Sequence, residues 1–128
     1  MKLSFSKNRI NLIHSFGISR SSNDYYDIIY VYIIDGDFIG RGEAAPSKRY
    51  GESPELLLSV LESGIQVPEN YQSREHLWGF LKPQLRKIAS LEAAVNMAVW
   101  DLSSQKQNIP LYKAFGFENT PLPKTSYT

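Results

Sequence analysis

The sequence predicts an α+β domain, in which a three-stranded antiparallel meander is followed by three to four helices. Two observations indicate this order. As far as residue 45, apolar residues alternate with polar ones or run almost continuously, which is typical of strands. From residue 53 onwards, apolar residues recur at intervals of three and four, which is typical of amphipathic helices. A block of strands followed by a block of helices defines the α+β class.

The three strands are expected in the first third of the chain. Residues 2–13 alternate between apolar and polar, and residues 25–34 are almost continuous in Ile, Val and Tyr, which suits a covered central strand. Asp35–Gly36–Asp37 is predicted to be a hairpin turn because Gly accepts a positive φ, and residues 38–45 return as the third strand. Residues 16–24 are rich in Gly, Ser, Asn and Asp and are predicted to form a mobile loop.

The helices are recognised by their start and stop signals. Ser53 and Pro54 suit the N-cap and first position of a helix that Gly64 closes. Ser73 suits the N-cap of a second, short helix, which Pro83 interrupts. The third helix is expected from residue 90 to about residue 107, and a last turn of helix from residue 110 to residue 116.

Composition excludes several classes of function. The 128 residues are enough for one domain, and a net charge of +1 gives no general attraction for nucleic acid or for an anionic membrane. The longest apolar run, residues 28–34, is too short to span a bilayer, and residues 1–7 contain no signal-peptide core. The absence of Cys removes disulfides and thiolate chemistry. We therefore expect a cytoplasmic protein that binds neither nucleic acid nor membranes.

Four segments, in this order and spacing, resemble the N-terminal capping domain of the enolase superfamily, in its mandelate racemase and muconate lactonising branch. They are GRGEAAP at 40–46, RYGES at 49–53, AAVNMAVWDL at 93–102 and IPLY at 109–112. The dipeptide epimerases are the most similar subgroup, through the pattern Phe16-x-Ile18-x-Arg20, the RYGES segment and TSYT at 125–128. By this resemblance, residues 1–117 form the capping domain, and residues 118–128 form a linker and the start of the first strand of a barrel.

The resemblance also implies which parts of the enzyme lie elsewhere. Full-length members carry a (β/α)7β barrel with a Lys-x-Lys base motif, a second Lys and three carboxylate ligands for Mg²⁺. The present sequence contains no Lys-x-Lys. An enediolate formed beside a carboxylate needs a metal for its stabilisation. We therefore expect these residues to be part of an isomerase, with no catalytic residue and no metal ligand of their own, no bound Mg²⁺ and no activity alone.

Five residues are expected to contact a dipeptide substrate once a barrel completes the site. Arg20 is the strongest candidate, because a planar guanidinium pairs bidentately with the side-chain carboxylate of an L-Ala-L-Glu type dipeptide. Phe16 and Ile18 would wall an apolar pocket, and Tyr50 would contact the substrate through its ring, although half-buried packing is an equal alternative for it. Thr128 matches a substrate-contacting Thr of the first barrel strand.

Other conspicuous residues are interpreted as structural. Glu43 and Glu52 could form a general acid–base pair, but hydrogen bonds to turns or pairs with neighbouring arginines are the favoured interpretation. Gly40 and Gly42 lack the context of a phosphate-binding loop and are assigned to turns at a strand end. Asp101 is expected to make a structural bond or a salt bridge.

Two other functions remain open at this point. One is the capping domain of an o-succinylbenzoate synthase or another muconate-cycloisomerase-like enzyme, which shares the capping motifs. The other is a stand-alone α+β module for protein interaction. For the capping domain, apolar surface that a barrel would cover and a terminal strand at 124–128 with no sheet to join are expected to favour self-association. The expected form is a homodimer that buries the barrel-facing side or exchanges the tail between copies.

Overall fold

A computed structural model describes residues 1–18, 21–118, 120–121 and 123–125, with the side chains of residues 14–23 left out. The sheet has three strands in the order β1-β2-β3, all antiparallel. They are β1 (Lys2–Ile18), β2 (Ser21–Asp35) and β3 (Phe38–Ala44). The predicted meander is confirmed, and Gly36 occupies the β2–β3 turn with a φ of 61°.

The prediction of a loop over residues 16–24 was wrong for the residues that the structure describes. Strand β1 continues to Ile18 and β2 begins at Ser21, with Phe16 opposite Asn23 and Ile18 opposite Ser21. A register shift between Asn11 and Phe16 interrupts the ladder without ending it. Residues that favour turns can still pair here, because a β-ladder uses backbone N–H and C=O groups that every residue except Pro provides.

Four α-helices follow the sheet, as the sequence predicts. They are α1 (Pro54–Glu62), α2 (Arg74–Leu81), α3 (Ala89–Gln107) and α4 (Leu111–Ala114). Short 3₁₀ turns cover Lys48–Tyr50 and Lys82–Leu85, and the second contains Pro83. The predicted caps are confirmed, since the hydroxyl of Ser53 accepts from the N–H of Leu56 and that of Ser73 accepts from the N–H of His76.

The core lies between one face of the sheet and the helices. Ile29, Val31 and Ile33 of β2 are fully buried on this face. Helix α3 covers them with a stripe of buried residues, and α1 and α2 add two leucines, Leu57 and Leu77, that are also fully buried. No helix within the described residues is both long and apolar enough to cross a membrane.

Two glycines let α3 cross β3 at very short range. A Cβ atom on Gly42 would lie 2.7 Å from the carbonyl carbon of Ala94, and one on Gly40 would lie 2.7 Å from the Cβ of Leu102. The assignment of these glycines to turns at a strand end was therefore wrong. They lie inside β3, at positions where any larger residue would push the helix away from the sheet.

The close crossing lets α3 reach the outer backbone edge of β3. The carboxylate of Asp101 accepts from the N–H of Arg41 at 2.8 Å. One turn further on, the amide of Gln105 donates to the carbonyl of Ile39 at 2.8 Å, and its oxygen accepts from the N–H of Ile39 at 3.4 Å. Of the two predicted roles of Asp101, the structure shows the structural bond, and its partner is the edge of the sheet.

Candidate functional site

Strand topology brings the two predicted substrate-contacting segments to one end of the sheet. Because neighbouring strands are antiparallel, the end of β1, the start of β2 and the end of β3 all lie at that end. The last β2–β3 pair joins Ile29 to Ala44, whereas the β1–β2 ladder continues to Ser21, eight residues further. At about 3.3 Å per residue, the hairpin extends roughly 26 Å beyond β3. We call this end, with residues 16–18, 21–24 and 45–52, the loop end.

Four of the five candidate substrate residues have side chains outside the part of the chain that the structure describes. Phe16 and Ile18 lie on the last residues of β1, so their backbone is at the loop end, but their side chains are outside the described residues. Arg20 and Thr128 lie outside the described residues altogether. Their proposed contacts therefore stay predictions.

Tyr50 is the fifth candidate, and its side chain is fully described. It ends the 3₁₀ turn Lys48–Tyr50 and is 72% exposed, so the alternative of half-buried packing does not apply. The guanidinium of Arg49 lies 6.0 Å from the centre of its ring. Gly51 follows with a φ of 71°, a left-handed conformation that Gly adopts without strain. The turn thus presents an aromatic ring to the solvent at the loop end.

Glu52 ties this turn to the start of α3. Its side chain is buried, with 7% exposed. One carboxylate oxygen accepts from the N–H of Ser47 at 3.4 Å, and the other accepts from the N–H of Ser90 at 3.2 Å. Burial opposes ionisation, but these hydrogen bonds, with others from Ser90 and Ala89, outweigh it and hold the pKa of Glu52 below its usual 4.5. A lowered pKa is the opposite of what a general acid at neutral pH needs.

The predicted role of Glu52 as a hydrogen-bond partner of a turn backbone is therefore confirmed. It did not include the link to α3, whose first residues are 38 positions away. One local signal was available. Residue 88, immediately before the helix, is Ile, which cannot cap the helix with its own side chain.

An ion-pair group holds β1 and β2 together where the extended hairpin leaves the sheet. Arg9 donates to both carboxylate oxygens of Asp27, at 2.7 and 3.0 Å, and Lys7 lies 3.4 Å from the same carboxylate and 3.1 Å from that of Glu55. The hydrogen bonds from Arg9, which outweigh desolvation and are assisted by Lys7, lower the pKa of Asp27 to about 2. Asp27 is consequently ionised at any physiological pH.

The described residues contain no cluster of side chains that would mark a metal site. Among them, no group of three His, Asp or Glu side chains lies close enough together to hold a metal ion. Glu52 is committed to backbone N–H groups and Asp27 to two cations. No step of a reaction is therefore assigned to a metal held by these residues.

Comparison with known proteins places this fold. No family model matches the chain. An L-Ala-D/L-amino acid epimerase of Flavobacterium johnsoniae is 29% identical over 131 residues, which is 100% of this chain and 39% of that protein. The L-Ala-D/L-Glu epimerase of Escherichia coli K12 is 28% identical over 113 residues, or 88% of this chain and 33% of its own length. The chain thus spans about two fifths or less of the relatives that it matches.

Solved structures give the same result. An enolase family member from Agrobacterium tumefaciens, with homology to dipeptide epimerases and with bound sodium and L-Ala-L-Glu, is 28% identical with a TM-score of 0.67, over 89% of this chain and 34% of that one. A dipeptide epimerase from Cytophaga hutchinsonii, complexed with Mg and D-Ala-L-Val, has a TM-score of 0.85 at 22% identity, over 98% of this chain and 35% of that one. This second likeness shows the fold alone.

The three-stranded sheet followed by four helices therefore has the fold of the N-terminal domains of enolase-type dipeptide epimerases, and the predicted fold is confirmed. At this level of identity, the chain is similar to the N-terminal part of dipeptide epimerases. The resemblance seen in the sequence motifs is thereby confirmed. The described residues show where the loop end lies but give only one of the five candidate substrate residues, Tyr50, with its side chain.

Proposed function

We propose that these residues form the substrate-specificity capping domain of a Mg²⁺-dependent dipeptide epimerase-like enzyme. The observation that carries the proposal is the match of the whole chain to an L-Ala-D/L-amino acid epimerase. The placement of RYGES and of the end of the β1–β2 hairpin at one end of the sheet supports it, because one barrel mouth could then face both segments. Loops on a rigid scaffold are where specificity usually resides.

In this proposal the domain recognises the dipeptide and does not carry out the chemistry. Proton abstraction next to a carbonyl needs a positioned base and stabilisation of the developing charge. The sequence has no Lys-x-Lys, and the described residues have no metal-binding group. A barrel, in the same polypeptide or another, would supply the lysines and the Mg²⁺ ligands. We expect the 128 residues to be inactive alone and to meet the dipeptide only with the barrel, in the cytoplasm.

Arg20 is assigned the acidic end of the substrate. In the sequence, Arg20 lies between Ile18, where β1 ends, and Ser21, where β2 begins. A guanidinium can pair with a carboxylate through two parallel hydrogen bonds. Phe16, Ile18 and Tyr50 are assigned apolar contacts to the dipeptide, and Thr128 a contact from the first barrel strand.

Dipeptide selectivity of the intact enzyme that carries these residues tests the proposal. Arg20→Ala is expected to lower kcat/KM for L-Ala-L-Glu roughly 30- to 1000-fold, because a desolvated charge pair is lost. This factor corresponds to about 2 to 4 kcal/mol of transition-state stabilisation. Dipeptides with a neutral second residue should be affected much less. Lys113→Ala, which removes an exposed cation on α4, is the control and should change neither value. Equal losses for acidic and neutral dipeptides would refute the assignment of Arg20.

A further inference from the structure

The turn that carries Tyr50 is closed at its base by the residue that follows it. The N–H of Tyr50 and the N–H of Glu52 both donate to the carbonyl of Ser47, at 3.0 and 3.2 Å. The side chain of Glu52 also accepts from the N–H of Ser47, so both the backbone and the carboxylate of Glu52 bond the first residue of the turn. These hydrogen bonds close residues 47–52 into a compact turn.

The same carboxylate bonds this turn to the longest helix, α3. The first N–H groups of a helix have no partner inside the helix, and Ile88, at the N-cap position of α3, offers no side-chain acceptor. Glu52 supplies the acceptor for Ser90 from outside the helix. Negative charge at a helix N-terminus is also favoured by the helix dipole. Because the carboxylate is buried, water competes poorly for these donors.

Tyr50 has little else to determine its position. Its side chain is 72% exposed, so packing within this chain holds the ring little, and the backbone of the turn sets the position and direction of its Cα–Cβ bond. That backbone is fixed at one point to the helix, through Glu52. Helix α3 in turn lies directly on β3 at the glycine crossing. The turn that carries Tyr50 is thus connected to the core through Glu52 and helix α3.

From this geometry we infer that Glu52 is the positioning residue for Tyr50: its carboxylate fixes the turn of residues 47–52 to the start of α3, and this sets the contact of the ring with the dipeptide. The inference rests on the proposed function for its last step only. Glu52 touches neither substrate nor reacting atoms in this role. It acts through the backbone of the turn.

We call the attachment of the turn to α3 through Glu52 the tether. Trypsin tests it without any assay of activity, because the turn contains the trypsin sites Lys48 and Arg49. Glu52→Gln places an amide N–H₂ against backbone N–H donors, so the turn should open more often and cleavage after Lys48 or Arg49 should accelerate roughly tenfold or more. Glu43→Gln is the matched control, since Glu43 is an exposed carboxylate on neighbouring β3. Equal cleavage of the two variants at this turn would overturn the inference.

Hydrogen exchange of the unaltered protein covers the case in which Glu52→Gln does not fold. The amides of Ser47 and Ser90 should be protected well beyond the rates of an unstructured peptide. Exchange of both amides at unprotected rates would overturn the tether.

Kinetics of the intact enzyme separate the tether from the role of Tyr50. Glu52→Gln and Tyr50→Ala should raise KM by similar factors, with a much smaller change in kcat, and the double variant should be no worse than the worse single one. If Tyr50→Ala leaves KM unchanged while trypsin still distinguishes Glu52→Gln from Glu43→Gln, the proposed contact of Tyr50 is wrong and the tether stands as a structural feature. If Tyr50→Ala raises KM and Glu52→Gln does not, the positioning role is wrong.

Discussion

Gly42 allows almost no change, because the carbonyl group of Ala94 already occupies the place of a side chain. A Cβ there would lie 2.7 Å from the carbonyl carbon of Ala94, well inside van der Waals contact. Gly42→Ala is therefore expected to lower the free energy of unfolding by about 3 kcal/mol or more, since helix α3 has to move off the sheet.

Gly79 provides the control for this substitution. It lies within α2, and a Cβ at this position would meet nothing within 4 Å. Gly79→Ala should raise the free energy of unfolding by about 0.5 to 1 kcal/mol, because Ala favours the helix. Urea denaturation followed by circular dichroism measures both variants. A Gly42→Ala variant as stable as the parent would show that the helix does not approach the strand so closely.

Asp27 makes stability depend on pH in the acid range. Its pKa is lowered to about 2 by hydrogen bonds from Arg9, against some desolvation, and by Lys7. A carboxyl group with a lowered folded-state pKa contributes stability above its unfolded value of 3.8 and loses that contribution as pH falls through about 2. Arg9→Ala should therefore move the carboxyl titration of Asp27, followed by carbon NMR, upward towards 3.8.

Lys2→Ala is the control for Arg9→Ala, because it removes a cation of the same strand that lies opposite Ile34. The carboxyl titration of Asp27 should be unchanged in it. A midpoint that also stays at about 2 in Arg9→Ala would mean that Arg9 is not the cause of the low value.

At the scale of elements, α3 closes the outer edge of β3 with two side chains. Asp101 and Gln105 lie one helical turn apart and bond the backbone of Arg41 and Ile39. Removing both, as Asp101→Ala with Gln105→Ala, should speed hydrogen exchange of the Arg41 and Ile39 amides by roughly tenfold, because each loses its acceptor.

The matched control for this pair is Gln107→Ala. Gln107 is a glutamine of the same helix, and its amide donates to Ser103 within α3. Exchange at Arg41 and Ile39 should be unaffected by this change. Equal exchange rates in the double variant and the control would show that the edge of β3 is protected by something other than α3.

The sequence predicted the elements whose signals are local. Helices α1 and α2 were placed by Ser53 and Ser73, which cap them through hydrogen bonds over three residues. The β2–β3 turn was placed by Gly36. The extended β1–β2 hairpin was not, because its pairing depends on backbone groups of a partner strand and not on the turn-forming side chains of residues 16–24.

Features that join distant segments could not be predicted in the same way. The role of Gly40 and Gly42 depends on a helix about 50 to 60 residues further along the chain, and the role of Glu52 depends on Ser90. Tyr50 and the position of the loop end followed from the motif resemblance together with strand order. The sequence pattern thus predicted the candidate residues, but only the structure showed that Glu52 holds the turn that carries Tyr50.

At the scale of the whole molecule, an aromatic surface lies around α4. Its members are between about two fifths and three fifths exposed, and they are Met97, Leu111, Tyr112, Phe115 and Phe117. Phe115 also stacks on Trp100, with ring centres 4.4 Å apart, and borders a groove of about 320 Å³. Apolar side chains grouped in this way favour association, and a net charge of +1 opposes it little.

We expect the 128-residue chain to self-associate through this surface, most simply as a two-fold dimer. Sedimentation equilibrium at tens of micromolar measures it, and Phe117→Ser should weaken the dimer. Phe80→Ser, at a comparably exposed aromatic residue on α2, should not. A chain that is monomeric at these concentrations would refute the expectation, and equal weakening by both variants would refute the choice of surface.

The crossing of α3 over β3 also has a consequence for the order in which the chain is made. All three strands are complete at residue 44, but the helix that covers Ile29, Val31 and Ile33 ends at residue 107. At roughly 5 to 20 residues per second, translation needs several seconds to add the intervening sixty or so residues. Until α3 has been added, this helix cannot cover the apolar face of the three strands, and Asp101 and Gln105 cannot bond the outer edge of β3. Chaperone binding to this domain should therefore be concentrated on nascent chains from which residue 44, but not yet residue 107, has emerged from the ribosome.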